Sequence, residues 1–182
     1  MPSPAANADI VSAPSRDLSA LPAQVAAIRD KILAACEKGE LEALRIPIDW
    51  NETRPMFQRT GKRPAGTDPI EILRSLSFDR KGLEIVNLAR AALLAPYAKI
   101  QRGPVTIYEW PAFPHPPANL DEERAQWSCV RFYDFARPLP DGRPRVTRLG
   151  FGADGVWHYF WSEARPAAAG VASQLRERRT SP

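Results

Sequence analysis

The chain has 182 residues, 44% hydrophobic and 25% charged, values that fit one globular domain with a sizeable core and exclude whole-chain disorder or two ordinary domains. A net charge of +4 and a pI near 9.3 would suit an acidic partner. The positives are spread along the chain, however, and it lacks the aromatic-interleaved basic strands of a single-strand binder, so nucleic acid is not the expected ligand.

No apolar run reaches the roughly 18–20 residues that span a bilayer. Most of the 19 prolines fall between periodic segments and imply long ordered loops. Residues 1–18, rich in Pro, Ala and Ser, lack the basic and apolar regions of a signal peptide and read as a flexible leader or as the linker that follows a removed export signal. The expected organisation is this leader, one domain over 19–163, and a mobile basic tail over 164–182 that ends in "RERRTSP".

The first helix starts at Pro22, a residue suited to a helix beginning. Val25, Ile28, Ile32 and Cys36 then recur at spacings of three and four, which marks one buried face. Gly39 ends it, and "ELEALR" adds a turn or two before Pro47 stops the run. Residues 46–66 hold three prolines and no sustained period, so they read as an extended loop anchored by Ile48, Trp50 and Phe57.

At "TDPIEIL" the helix-start signals agree: Asp68 caps, Pro69 takes the first helical position and Glu71 the third. Gly82 separates this short helix from "LEIVNLARAALLA", whose Ile85, Val86, Ala89, Leu93 and Leu94 form a wide apolar stripe closed by Pro96.

"PVTIYEWP", 104–111, alternates and is rich in β-branched and aromatic residues, a strand pattern. "LDEERAQWSCVRFYDFA" places acids in a first turn and Ala125, Cys129, Phe132 and Ala136 on one face, which predicts a helix over 120–135. Two apolar-rich runs around "ADG" predict a hairpin with strands near 145–152 and 156–162, since Asp-Gly is a strong hairpin signal. The fold class is therefore α+β: four to five helices on a small antiparallel sheet that ends in a C-terminal β-hairpin.

Candidate chemistry is sparse. "GFGADG", 150–155, matches a G-x-G-x-x-G spacing, but its glycines lie between two strands and no helix follows to meet a phosphate. His158 is the best acid/base candidate, with Glu109, Glu52 and Asp134 as possible partners; a structural imidazole is the alternative. With only two histidines and two cysteines, and no CxxC or Cys/His cluster, no metal site or cofactor is expected. Cys36 and Cys129 are either buried thiols or one long-range disulfide.

The aromatic set is the other candidate: Trp50, Tyr108, Trp110 and Trp157, together with Trp127 and Trp161, either line a ligand surface or build the core. The expectation is a binding protein that recognises a partner protein or a small apolar ligand through these rings. The alternative is a small hydrolase-like enzyme that uses His158 and a nearby carboxylate.

The segments "LPAQVAAIRDKILAACEKGELEALRIPIDWNE", "DPIEIL", "VTIYEWP" and "RLGFGADGVWHYF" together resemble a group of small exported proteins of alphaproteobacteria with no known activity. The resemblance covers roughly residues 19–162. It implies a periplasmic or cell-envelope location and a helical domain closed by a C-terminal hairpin, and it carries no site residue.

Overall fold

A computed structural model describes residues 9–10, 12–59 and 66–163; the basic tail over 164–182 lies outside the described residues. The architecture is α+β. Five α-helices pack on one antiparallel sheet in the order β1-β2-β3-β4-β5. The strands are β1 (Asp9–Ile10), β2 (Ala98–Arg102), β3 (Val105–Trp110), β4 (Val146–Gly152) and β5 (Trp157–Glu163).

Helix α1 (Ala23–Glu37) buries Val25, Ile28, Ile32 and Cys36, the residues its spacing singled out, together with Ala35. It lies against α4 (Leu83–Leu94), and α4 in turn packs on β4. Arg29 ties the two helices at the far end: its Nη2 donates to the Leu93 carbonyl at 3.0 Å, which occupies a carbonyl left open at the helix terminus. Helix α3 (Pro69–Leu76) starts as its capping residues require, with the Asp68 carboxylate accepting the Ile70 N–H at 2.8 Å.

The sequence reading needs three corrections. Pro47 does not stop the helical run: a 3-10 turn over Leu41–Leu44 leads into α2 (Arg45–Asp49), and Pro47 sits in its first turn, where a missing N–H breaks no bond. The helix expected over 120–135 is only α5 (Leu120–Trp127). The chain then returns to the sheet, where Val130 bridges Val146 and the Cys129 carbonyl accepts the Thr147 N–H at 2.7 Å; this pairing overrides the helical spacing. Finally β2 and the two-residue β1 were not legible, because "AKIQR" is short and half polar and β1 takes its place only by pairing with β2.

One face of the sheet carries Tyr108, Trp110, Leu149, Phe151, Trp157 and Phe160 into the helical core. The other carries a smaller cluster of Ile100, Ile107, Tyr159 and Trp161. The β4–β5 turn is closed by Gly155, whose φ of +82° suits glycine, and by the Asp154 carboxylate, which accepts the Val156 N–H at 3.1 Å.

Candidate functional site

His158 is half-buried on β5 at a β-bulge: Gly150 pairs with Tyr159 and Phe151 with Trp157, so His158 is the extra residue of its strand. The loop before α3 covers this edge. Asn51 exchanges two hydrogen bonds with the Trp157 backbone, 2.8 Å to its N–H and 2.7 Å to its carbonyl. Next to it, the Met56 N–H donates to the His158 carbonyl at 2.9 Å and the Met56 carbonyl accepts the Phe160 N–H at 2.8 Å. The loop thus continues the ladder as a further strand would, which protects an edge otherwise open to pairing.

A carboxylate that was not among the expected partners converges with the imidazole. A Cβ built on Gly152 would lie 2.5 Å from Asp154 Oδ1 and 2.9 Å from His158 Nε2, so both groups converge over one glycine, at a turn whose chemistry sequence reading treated as structural only. Glu109 has other bonds. It accepts the Tyr159 hydroxyl, and Arg148 Nη1 donates to its Oε1 at 3.2 Å. Glu52 is exposed in the turn after α2, and Asp134 accepts the Ser162 hydroxyl at 2.7 Å.

Glu109 belongs to a buried charge network on the second sheet face. Arg102 Nη2 lies 2.7 Å from Glu163 Oε2 and 3.6 Å from Glu109 Oε2, and Arg59 bonds Glu163 at 3.0 Å. The Tyr159 and Trp161 rings stack at 4.3 Å, with the Arg102 guanidinium 4.9 Å from the Tyr159 centroid. Burial first, and the Glu109 charge second, push the Tyr159 hydroxyl well above its ordinary value, so it stays a neutral donor to Glu109. Gly150 leaves room for this: a Cβ there would meet the Tyr159 ring at 2.2 Å. Each acid in the network is matched by an arginine, as the cost of burying an unpaired carboxylate requires.

Of the four aromatic residues singled out, Tyr108, Trp110 and Trp157 are buried in the core. They alternate on the helix-facing side of β3 and β5, as strand geometry demands. Trp50 at the end of α2 is 68% exposed, and the Lys31 ammonium sits 3.6 Å over its ring, a cation–π contact. Cys36 and Cys129 are both free thiols, and burial pushes each to about 12.

Four further exposed aromatic residues lie elsewhere. Phe78, Phe132, Tyr133 and Phe135 are 44%, 56%, 59% and 51% exposed. Phe78 and Phe132 stack at 4.6 Å, Tyr133 meets Phe132 edge-on at 5.7 Å, and Phe135 stacks on Trp127 at 5.6 Å. Beside Trp127 and Phe135 an open groove of about 550 Å³ is lined by Leu120, Glu123, Arg124 and Ser128.

These rings stand on a built foundation. Glu84, buried at the start of α4, accepts the Phe78 N–H on Oε2 at 2.8 Å and the Phe132 N–H on Oε1 at 2.6 Å. One carboxylate therefore joins two segments 54 residues apart. Asp79 fixes the turn between α3 and α4 by accepting the N–H groups of Lys81 and Gly82 at 2.7 Å and of Glu84 at 2.8 Å. Burial works against the Asp79 charge, but those backbone bonds and the Ser77 hydroxyl outweigh it and hold the carboxyl at about 2.

Sequence reading assigned Phe132 to a helix face and gave Phe78 no role. The "FYDF" run at 132–135 carried the signal, an aromatic density beyond what a 3-10 turn can bury. Among the described residues no group of three or more His, Cys, Asp or Glu could hold a metal, and no helix is long and apolar enough to cross a membrane. No protein family, curated protein or solved structure matches the chain.

Proposed function

We propose that this is a binding protein that recognises a partner protein through the surface of Phe78, Phe132, Tyr133 and Phe135. One observation carries the reading: four large rings are about half exposed, yet two of them, Phe78 and Phe132, are anchored through their backbone to one buried carboxylate. Leaving such rings about half in water forgoes roughly half of the ~1.5–3 kcal/mol that full burial of each would contribute, and clustered exposed apolar side chains of this kind mark interaction sites. Rigid aromatic side chains are also good anchors, because they lose little conformational entropy on binding. The cellular place we propose is the envelope, supported by the resemblance of the four sequence segments.

The test is site-specific photo-crosslinking in the native host. A benzoylphenylalanine at position 132 or 133 should trap a discrete partner, whereas one at Leu94, equally exposed at 49%, should not. The same products from all three positions, or none from 132 and 133, would refute the reading.

A second reading, hydrolysis, is favoured by the convergence of Asp154 and His158 over Gly152. His158 would take a proton from water while Asp154 orients the ring. Turnover of p-nitrophenyl esters that is lost in His158→Ala and Asp154→Asn would support it, and turnover unchanged by either substitution would end it.

A further inference from the structure

We infer, resting on the aromatic-surface reading above, that the segment received by this surface is an acidic peptide stretch in which carboxylates accompany apolar side chains. The argument begins with charges that share a segment with the rings. Arg80 and Lys81 follow Phe78 in the same turn, Arg131 precedes Phe132, and Arg137 stands two residues beyond Phe135. Arg80, Lys81 and Arg137 are exposed, whereas Arg131 is half-buried with its Nε and Nη2 shut off from solvent, so the outward charge comes from the other three.

Carboxylates of the same segments are directed inward and already engaged. Asp79 accepts three backbone N–H groups, Glu84 accepts those of Phe78 and Phe132, and Asp134 accepts the Ser162 hydroxyl. The outward charge at this end is therefore positive. An acidic segment meets complementary potential there, while a basic one is repelled.

Backbone geometry at the turn agrees. Arg80 has φ of +56°, the only positive value at a non-glycine among the described residues. An arginine in the left-handed region is strained. The turn persists because Asp79 ties down both flanks, and Arg80 Nη1 reaches the Ser75 carbonyl at 3.2 Å. The Arg131 guanidinium has no ion pair among the described residues, and its Nε and Nη2 lack hydrogen-bond partners. Burial pulls it below the ordinary arginine value, against the opposing pull of Asp134 and Glu84.

The far end differs: its groove is lined by one acid and one base, Glu123 and Arg124, and carries no net charge, while the acids gather at the start of α5. Asp121, Glu122 and Glu123 occupy the first turn of α5, and Glu123 lines the groove beside Trp127 and Phe135. This contrast sets a direction: carboxylates of the partner lie over Phe78 and Phe132, and an uncharged apolar side chain enters the groove. A single-stranded nucleic acid fits less well. The Phe78 and Phe132 faces already stack on each other, and a phosphate backbone would have to cross the acidic turn of α5.

The test is selection of a displayed library of random 12-residue peptides on the full chain, with counter-selection on Phe132→Ala. Peptides that depend on Phe132 should be enriched in Asp and Glu beside Leu, Phe or Trp. A representative synthetic peptide should bind about five- to tenfold more weakly to Lys81→Glu/Arg137→Glu, and more weakly as salt is raised. Peptides that depend on Phe132 but show no acid enrichment would overturn the acidic partner and leave the aromatic surface standing. A selection with no Phe132-dependent peptide would overturn both. Fluorescent oligo-dT bound more tightly than any selected peptide would reassign the surface to nucleic acid.

Discussion

Glu84→Gln is the sharpest perturbation of the proposed surface, because one buried side chain carries the backbone of two of its rings. The carboxylate accepts two N–H groups at 2.8 and 2.6 Å. A glutamine keeps one acceptor oxygen and turns an NH2 toward the second N–H, which loses one charge-assisted bond of about 1.5–3 kcal/mol and strands a donor. Arg131 also loses the attraction of Glu84, and the start of α4 loses a favourable negative charge, about 0.3–1 kcal/mol.

Together these give a destabilisation of about 2–4 kcal/mol, below the ~5–15 kcal/mol that holds a typical domain, so the variant stays folded. Urea unfolding should show the midpoint fall with an unchanged slope. Hydrogen exchange should accelerate at Phe78 or Phe132, whichever amide faces the new NH2. A stability loss under about 0.5 kcal/mol with both amides still protected would refute the anchoring role, and with it the claim that the aromatic surface is preorganised.

Three further outcomes are expected. Gly155→Ala should destabilise by about 1–3 kcal/mol in thermal melts, since φ is +82° and the new Cβ would lie 2.8 Å from the Gln24 carbonyl; an unchanged melting temperature would contradict the turn geometry. Asp79 is held at about 2 when folded, below its ordinary 3.8, so its stabilisation is fully present above about pH 4 and is lost as pH falls toward 2. Asp79→Asn should flatten the acid limb in that window, and an identical acid limb in both proteins would count against it. Cys36 and Cys129, pushed to about 12, should resist a thiol reagent at pH 8 and react fully in urea; rapid labelling of the native protein would show that the thiols are not sealed in the core.

Local patterns carried much of the architecture. The spacing of Val25, Ile28 and Ile32, the Asp68-Pro69 start and the Asp-Gly turn each rest on interactions within a few residues, so the sequence by itself determined α1, α3, α4 and the β4–β5 hairpin. Contacts between distant segments were decided only in three dimensions. Helix α5 stops at Trp127 because Val130 finds Val146, and β2 forms because β3 lies beside it.

The candidate site follows the same division. Aromatic residues could be counted in the chain, but their exposure could not: Trp110 and Trp157 face the helices, whereas Phe78 and Phe132 are left at the surface. Burial depends on which face of a strand or turn meets a neighbour far away in sequence. Glu84 and Phe132, 48 residues apart, come together only when α4 docks on the sheet, and that docking turns two unremarkable phenylalanines into one surface.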